Sequence, residues 1–273
     1  MKKFMAMLLA LVMTLSLAAC GKKVDDTSKD DANVDDTATP EITYAVEAGS
    51  AGEEVANEKG WKINSVGSQA DALMEVDAGT SDAAIIDLLM AGAMVGEGTS
   101  YPDLKVTDQK LNSEEYGIGC RKGSDLAAFI NNVLAETYAD GSMKKVADTY
   151  KLADAMVEQA APDANYTVPT DGDVAYIQNK GKLVVGITEF APMDYKSADD
   201  EWIGFDADMA KLVAEKLGVE VQFVVIDWDM KVNELDSKNI DVVWNGMTLT
   251  EGVTAAMECT NAYCENAQVV ITK

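Results

Sequence analysis

Histidine is absent from the 273-residue chain, and arginine occurs once, at Arg121. Without an imidazole, mechanisms that need a histidine base, shuttle or metal ligand are excluded. With one arginine, any bound anion has to be met mainly by backbone amides, hydroxyls or lysine. Basic residues are scarce altogether: 22 stand against 47 acids, a net charge of −25 that excludes neutralising a nucleic-acid backbone. Cysteines number four; Cys120, Cys259 and Cys264 lack metal-ligand spacing, so no metal site and no cofactor are expected. Cys259 and Cys264 either stay as free thiols or form a bridge. What is present is ample apolar content, 48%, enough for packed cores in one or two domains.

Long hydrophobic runs are also missing. The apolar stretch from Phe4 to Leu17 follows Lys2 and Lys3 and is too short for a stable bilayer span. It ends in Leu17-Ala18-Ala19-Cys20-Gly21, which resembles a bacterial lipoprotein signal. That resemblance implies removal of residues 1–19 and acylation of Cys20, with two or more chains giving a stable anchor. Residues 20–41 are acidic and lack apolar periodicity, which predicts a disordered tether reaching on the order of 25 Å.

Beyond the tether, strand and helix patterns alternate. Strands are predicted at 42–46, 83–86, 116–120, 183–187, 219–225, 240–243 and 268–271. Helices are predicted after Gly49-Ser-Ala-Gly52, after Ser68, at 124–139 and 142–150, and from Asp206, as cap, to Gly218. Residues 152–173, with Pro162 and Pro169, read as a linker. Repeated βαβ units imply parallel sheets covered by helices on both faces. Ligands in such folds sit beyond the carboxyl ends of strands. That rule selects residues 47–52, Asp87, residues 188–190, Asp227 with Trp228, and residues 244–248.

The motifs at these places carry a resemblance. Residues 181–187, Gly204-Phe-Asp206, Ile226-Asp-Trp228, Asn239-Ile-Asp241 and Gly246-Met-Thr-Leu-Thr250 resemble the amino-terminal lobe of bacterial extracellular solute-binding proteins of family 3, the amino-acid ABC transporter type. Val46-Glu-Ala-Gly-Ser50, residues 82–87 and residues 116–124 resemble that family's second lobe and hinge. The implied architecture is α/β, two Rossmann-like lobes joined by a hinge, the type II periplasmic-binding-protein fold. The lobe order is inverted here, which implies a circular permutation. Residues 42–115 would form lobe 2, residues 116–273 lobe 1, and 152–173 would join the family's usual ends. One covalent hinge crossing is then expected in place of two.

By the same resemblance, Asp87 receives a ligand ammonium, a helix cap being its other reading. Gly49, Ser50 and Ala51 offer amides to a carboxylate, Thr248 adds its hydroxyl, and the Gly246 carbonyl accepts from the ammonium. Phe190 and Trp228 sandwich the ligand side chain, Glu189 adds negative character, and Asn245 lies alongside; Trp244 reads equally as core or pocket. Where the family usually carries a carboxylate-clamping arginine, three residues after Thr250, this chain has Val253. Either amides and a lysine compensate or the solute lacks a standard α-carboxylate. The implied function is a monomeric, lipid-anchored, extracytoplasmic receptor for a small amine-bearing solute, an amino acid or derivative, docking on ABC permease subunits. An enzyme on the same scaffold, dehydratase-like and using carboxylates such as Glu189 or Asp87, and a surface domain without a ligand are the alternatives.

Overall fold

The computed structural model describes residues 41–273; the leader, Cys20 and the tether up to residue 40 lie outside the described residues. The first sheet begins with β1 (Thr43–Glu47), β2 (Lys62–Val66) and β3 (Ala83–Asp87), all parallel, linked by α1 (Ala51–Glu58) and α2 (Gln69–Ala78). Ser50 and Ser68 cap the two helices, their hydroxyls accepting from Glu53 N–H and Asp71 N–H. Alternation along β1 sends Tyr44 and Val46 toward Ala56 of α1 on one face. Ala45 packs with Ala72, Leu73 and Val76 of α2 on the other. Both faces of the sheet are therefore covered. Then come α3 (Leu88–Met94) and β4 (Lys105–Lys110).

The chain next leaves this sheet through residues 111–113 and builds a second one. β5 (Glu114–Cys120) precedes α4 (Leu126–Ala139), α5 (Ser142–Thr149) and α6 (Gly172–Lys180), and β6 (Lys182–Ile187) follows. A short hairpin of β7 (Tyr195–Lys196) and β8 (Trp202–Ile203) leads to α7 (Phe205–Leu217) and β9 (Glu220–Val225). After α8 (Lys231–Asp236) come β10 (Val242–Thr248) and α9 (Glu251–Ala256), then β11 (Glu258–Cys259), β12 (Cys264–Asn266) and β13 (Gln268–Thr272). The second sheet runs β11-β5-β10-β6-β9, with β12 also on β5. One face packs Leu183, Val185 and Val242 against Met209 and Val213 of α7; the other packs Val184, Val243 and Met247 with Leu235 of α8.

Three expectations are corrected. The sheets are mixed: β6, β9 and β10 are parallel as expected, but β5 runs antiparallel to β10, and β13 antiparallel to β3 and β4. β13 also lies in the first sheet, between β3 and β4, so residues 116–273 do not all sit on the second sheet. It follows that the backbone crosses between the sheets twice, at residues 111–113 and at Ala267, side by side. Asp206 is no cap either. Gly204 holds that position, while the Asp206 carboxylate is fully buried and accepts from Gly246 N–H and from the Tyr263 hydroxyl at 2.8 Å. The segment 152–173, read as a linker, is laid down on the protein. Val157 N–H donates to Tyr263 O at 3.0 Å and Gln159 Nε2 to Ala262 O at 2.8 Å.

Arg121, the only arginine, is used structurally. Its guanidinium meets Asp173 at 3.0 Å, Asp241 at 3.5 Å and the Ile240 carbonyl at 2.8 Å, and Lys180 joins Asp241 at 2.6 Å. Cys120, Cys259 and Cys264 are free thiols.

Candidate functional site

The carboxyl ends of β1 and β3 face the loops after β9 and the end of β10 across a cavity of about 40 Å³ at the hinge. Seven predicted residues line it: Gly49, Ser50 and Ala51 from the start of α1, Asp87 from β3, Trp228 from the turn before α8, and Asn245 and Thr248 from β10. Val253 lines it as well. Three predicted residues do not. Glu189 is exposed on the loop after β6. Phe190 is 2% exposed and packs edge-on against Tyr116, ring centroids 6.4 Å apart. A Cβ at Gly246 would run into that Phe190 ring, so this glycine (φ +57°) lets strand and aromatic approach, while its N–H binds Asp206. Trp244, left open between core and pocket, is core: it is fully buried and stacks edge-on with Tyr263.

Asp87 is enclosed by neutral donors. Gln69 and Asn266 donate to it, Tyr116 Oη at 2.9 Å and Gln268 Nε2 at 3.0 Å. Glu114 shares two of these partners, taking Asn266 Nδ2 at 3.1 Å and Gln268 Nε2 at 3.0 Å. Burial, with Glu114 adding repulsion, raises the Asp87 carboxyl to about 7. The cap reading is disfavoured, because the side chain makes no capping bond to α3.

Two of the three amides expected to receive an anion are already engaged. Gly49 N–H donates to the Glu53 carboxylate at 2.7 Å and Ser50 N–H to the Glu47 carbonyl at 3.2 Å, while the Ser50 hydroxyl caps α1. This reciprocal arrangement of cap and third-position glutamate uses amides the sequence reading had reserved for a ligand. Thr248 Oγ1 likewise donates to Glu114 at 3.1 Å, and Asn245 Nδ2 to Thr188 Oγ1 at 2.7 Å.

Of two charged residues in this cavity, the strand-end rule selects Glu47 without giving it a role, and Lys231 is not selected at all. Glu47, 3% exposed, ends β1, and its Oε1 has no hydrogen-bond partner. Burial first, then Asp87, pushes its carboxyl up to about 8. The signal existed, an acid closing an apolar strand, as at Asp87. Lys231 opens α8, donates from Nζ to the Gly49 carbonyl at 2.9 Å and the Trp228 carbonyl at 3.1 Å, and lies 4.8 Å from the Trp228 ring centroid. Burial lowers its pKa. A lysine on a polar 3.6-residue pattern carries no mark of such a position. Chemically the cavity offers buried carboxylates and an aromatic face, a setting for cationic nitrogen.

Residues 183–273 match the bacterial extracellular solute-binding proteins, family 3. The arginine-binding extracellular protein ArtP of Bacillus subtilis is 30% identical over 95 residues, 34% of this chain and 37% of that protein. The L-cystine-binding protein TcyA of the same organism is 36% identical over 107 residues, 38% of this chain and 39% of that protein. Among solved structures, the arginine-bound domain 1 of the T. maritima arginine-binding protein is 31% identical over 34% of this chain and 82% of that one, with a TM-score of 0.29. The chain thus spans less than two fifths of the length of these two curated relatives. Its matched stretch contains the second sheet from β6 onward and the hinge return at Ala267, and over these residues, 183–273, the chain is similar to the bacterial extracellular solute-binding proteins, family 3.

Proposed function

We propose that the chain is the extracytoplasmic solute receptor of an ABC importer, binding a small amine-bearing solute, an amino acid or derivative, between its two sheets. The observation that carries this reading is the hinge cavity lined from both sides. Asp87 and Glu47 come from the first sheet, Trp228, Asn245 and Thr248 from the second. A solute touching both sides would favour closure, since only differential contacts shift a conformational equilibrium. Relatives that bind arginine and L-cystine support an amino-acid-like solute. Acylation at Cys20 and a permuted lobe order belong to the same reading. The order is supported by the placement of the family match at residues 183–273, behind the first sheet's β1–β4. Among the described residues no helix is long and apolar enough to cross a membrane.

Titration calorimetry of the intact chain against amino acids and amines tests this. Saturable heat without turnover is expected; sustained heat with product formation would indicate an enzyme instead. No heat and no thermal shift with any of them would overturn the receptor reading. Cys20→Ala should move the protein from the membrane fraction to the soluble one, and continued membrane fractionation would remove the lipid anchor.

A further inference from the structure

Four donors of the cleft are spent, whereas one of its acceptors is not. The amides of Gly49 and Ser50, the Thr248 hydroxyl and the Asn245 amide all have partners within the protein. Glu47, buried to 3% exposure, keeps an unpartnered carboxylate oxygen in the cavity wall. A buried acceptor left unmet is costly, and a ligand cation would meet it. The charged lining agrees: Glu47, Glu54 and Asp87 face the single cation Lys231. Arg121 is locked to Asp173 and Asp241 elsewhere.

Size decides further. At about 40 Å³ the cavity has room for roughly three groups the size of water, which take ~10–15 Å³ each. A charged head group fits this volume; an amino acid with its carboxylate does not. The cavity meets a groove of about 510 Å³ along Ala51, Glu54, Thr248 and Thr250. Glu54, Glu58, Glu114, Glu115 and Glu265 line that groove, and no lysine or arginine does. Among the described residues no three acids converge as a metal site, so the carboxylates suit charges spaced along a chain rather than one ion. The chain's own ammonium on Lys231, bound to the Gly49 carbonyl and facing the Trp228 ring, shows that this environment accommodates such a group.

We propose that cleft and groove together take a linear oligocation without a carboxylate, a diamine or polyamine, with its leading ammonium on Glu47 and its next charge among the groove glutamates. This rests on reading the cleft as a solute site and adds the class of solute.

Calorimetry of the intact chain at physiological salt, with spermidine, putrescine and L-arginine as probes, tests it. One-to-one spermidine binding at least about tenfold tighter than arginine is expected, a difference of ~1.4 kcal/mol. Glu47→Gln should weaken spermidine at least about tenfold, as expected for losing a buried charged partner. Because that change removes a buried carboxylate, the melting temperature without ligand should stay level or rise. The exposed pair Glu58→Gln and Glu115→Gln should weaken spermidine more than putrescine, a readout independent of the Glu47 variant. Arginine binding without spermidine binding would overturn the oligocation and leave the receptor standing; silence with every amine and amino acid would overturn both. Unchanged spermidine affinity in Glu47→Gln, or its displacement by equivalent magnesium, would reduce the effect to diffuse counter-charge and overturn the proposal.

Discussion

Lys231 Nζ, at the start of α8 on the second sheet, lies 2.9 Å from the carbonyl of Gly49 on the first. The contact spans the cleft and holds the two walls together. Beside it the Gly49 backbone, at φ +69°, is so close that a Cβ there would come within 2.7 Å of Asp229 Cα.

Gly49→Ala should therefore hold the walls apart. Left-handed strain of ~1–2 kcal/mol adds to the clash. A larger radius of gyration by small-angle scattering and weaker solute binding are expected; an unchanged radius with unchanged affinity would show that this approach does not limit closure.

Asp87→Asn places an amide where four neutral donors converge. Mismatched donors should cost about 1–3 kcal/mol of stability by denaturant unfolding. Binding of an amine should weaken by a further ~2–5 kcal/mol in calorimetry if Asp87 receives the ammonium. Lost stability with intact affinity would make Asp87 a hinge pin alone.

Glu47, Asp87 and Asp206 have carboxyls raised by burial to about 8, 7 and 7. The folded protein holds protons there that the unfolded chain releases near the ordinary values of 4.5 and 3.8. The contribution of these three groups is then fully present below their ordinary values and is lost as pH rises through 7–8, by up to roughly 1.4 kcal/mol per pH unit for each group. Glu47 also faces Asp71 and Lys231, the acid raising its pKa and the lysine lowering it. Urea unfolding at several pH values should give this slope, and Glu47→Gln should flatten it. Because a cation pairs with ionised Glu47, affinity should move oppositely and strengthen with pH over the same window.

Arg121→Ala strands Asp173 and leaves the fully buried Asp241 with Lys180 as its one charged partner. About 3–5 kcal/mol of stability should be lost, the scale for breaking a buried ion pair. Affinity measured below the new melting point should stay as in the parent, because Arg121 lies away from the cleft; a shift in affinity would tie that cluster to the site.

Val253→Arg adds a cation to the cleft wall. Binding of α-carboxylate amino acids should improve about tenfold or more, the scale of a charge-assisted pair, while amines without a carboxylate weaken. A uniform loss in both classes would indicate overpacking against Trp228 and Met257.

The central strands were legible because all five residues of β3 are buried and its first four, 83–86, read as an apolar run, as do residues 183–187 of β6. Edge strands were not: Lys62–Val66 and Lys105–Lys110 are polar and largely solvent-facing, and their partners fix them. Helix α3 escaped because Leu-Leu-Met-Ala-Gly-Ala-Met shows no polar face. In the site, positions at strand ends followed from topology. Which amides were already used did not, because Glu53 reaching back to Gly49 and Thr248 reaching Glu114 are tertiary facts. Phe190 read as a pocket aromatic, yet the open face of Gly246 draws it inward.

The return of β13 to the first sheet also sets an order of assembly. Gln268 stands against Asp87 across 181 residues of sequence, whereas β6 and β9 pair over a few dozen. Closing so long a loop is entropically late, and rate falls as contacts become less local. The local pairs β1–β2, β1–β3 and β6–β9 are thus expected to form first, leaving the flank of β3 bare until β13 arrives. During synthesis that bare flank is where a chaperone, or a neighbouring nascent chain, would find its foothold.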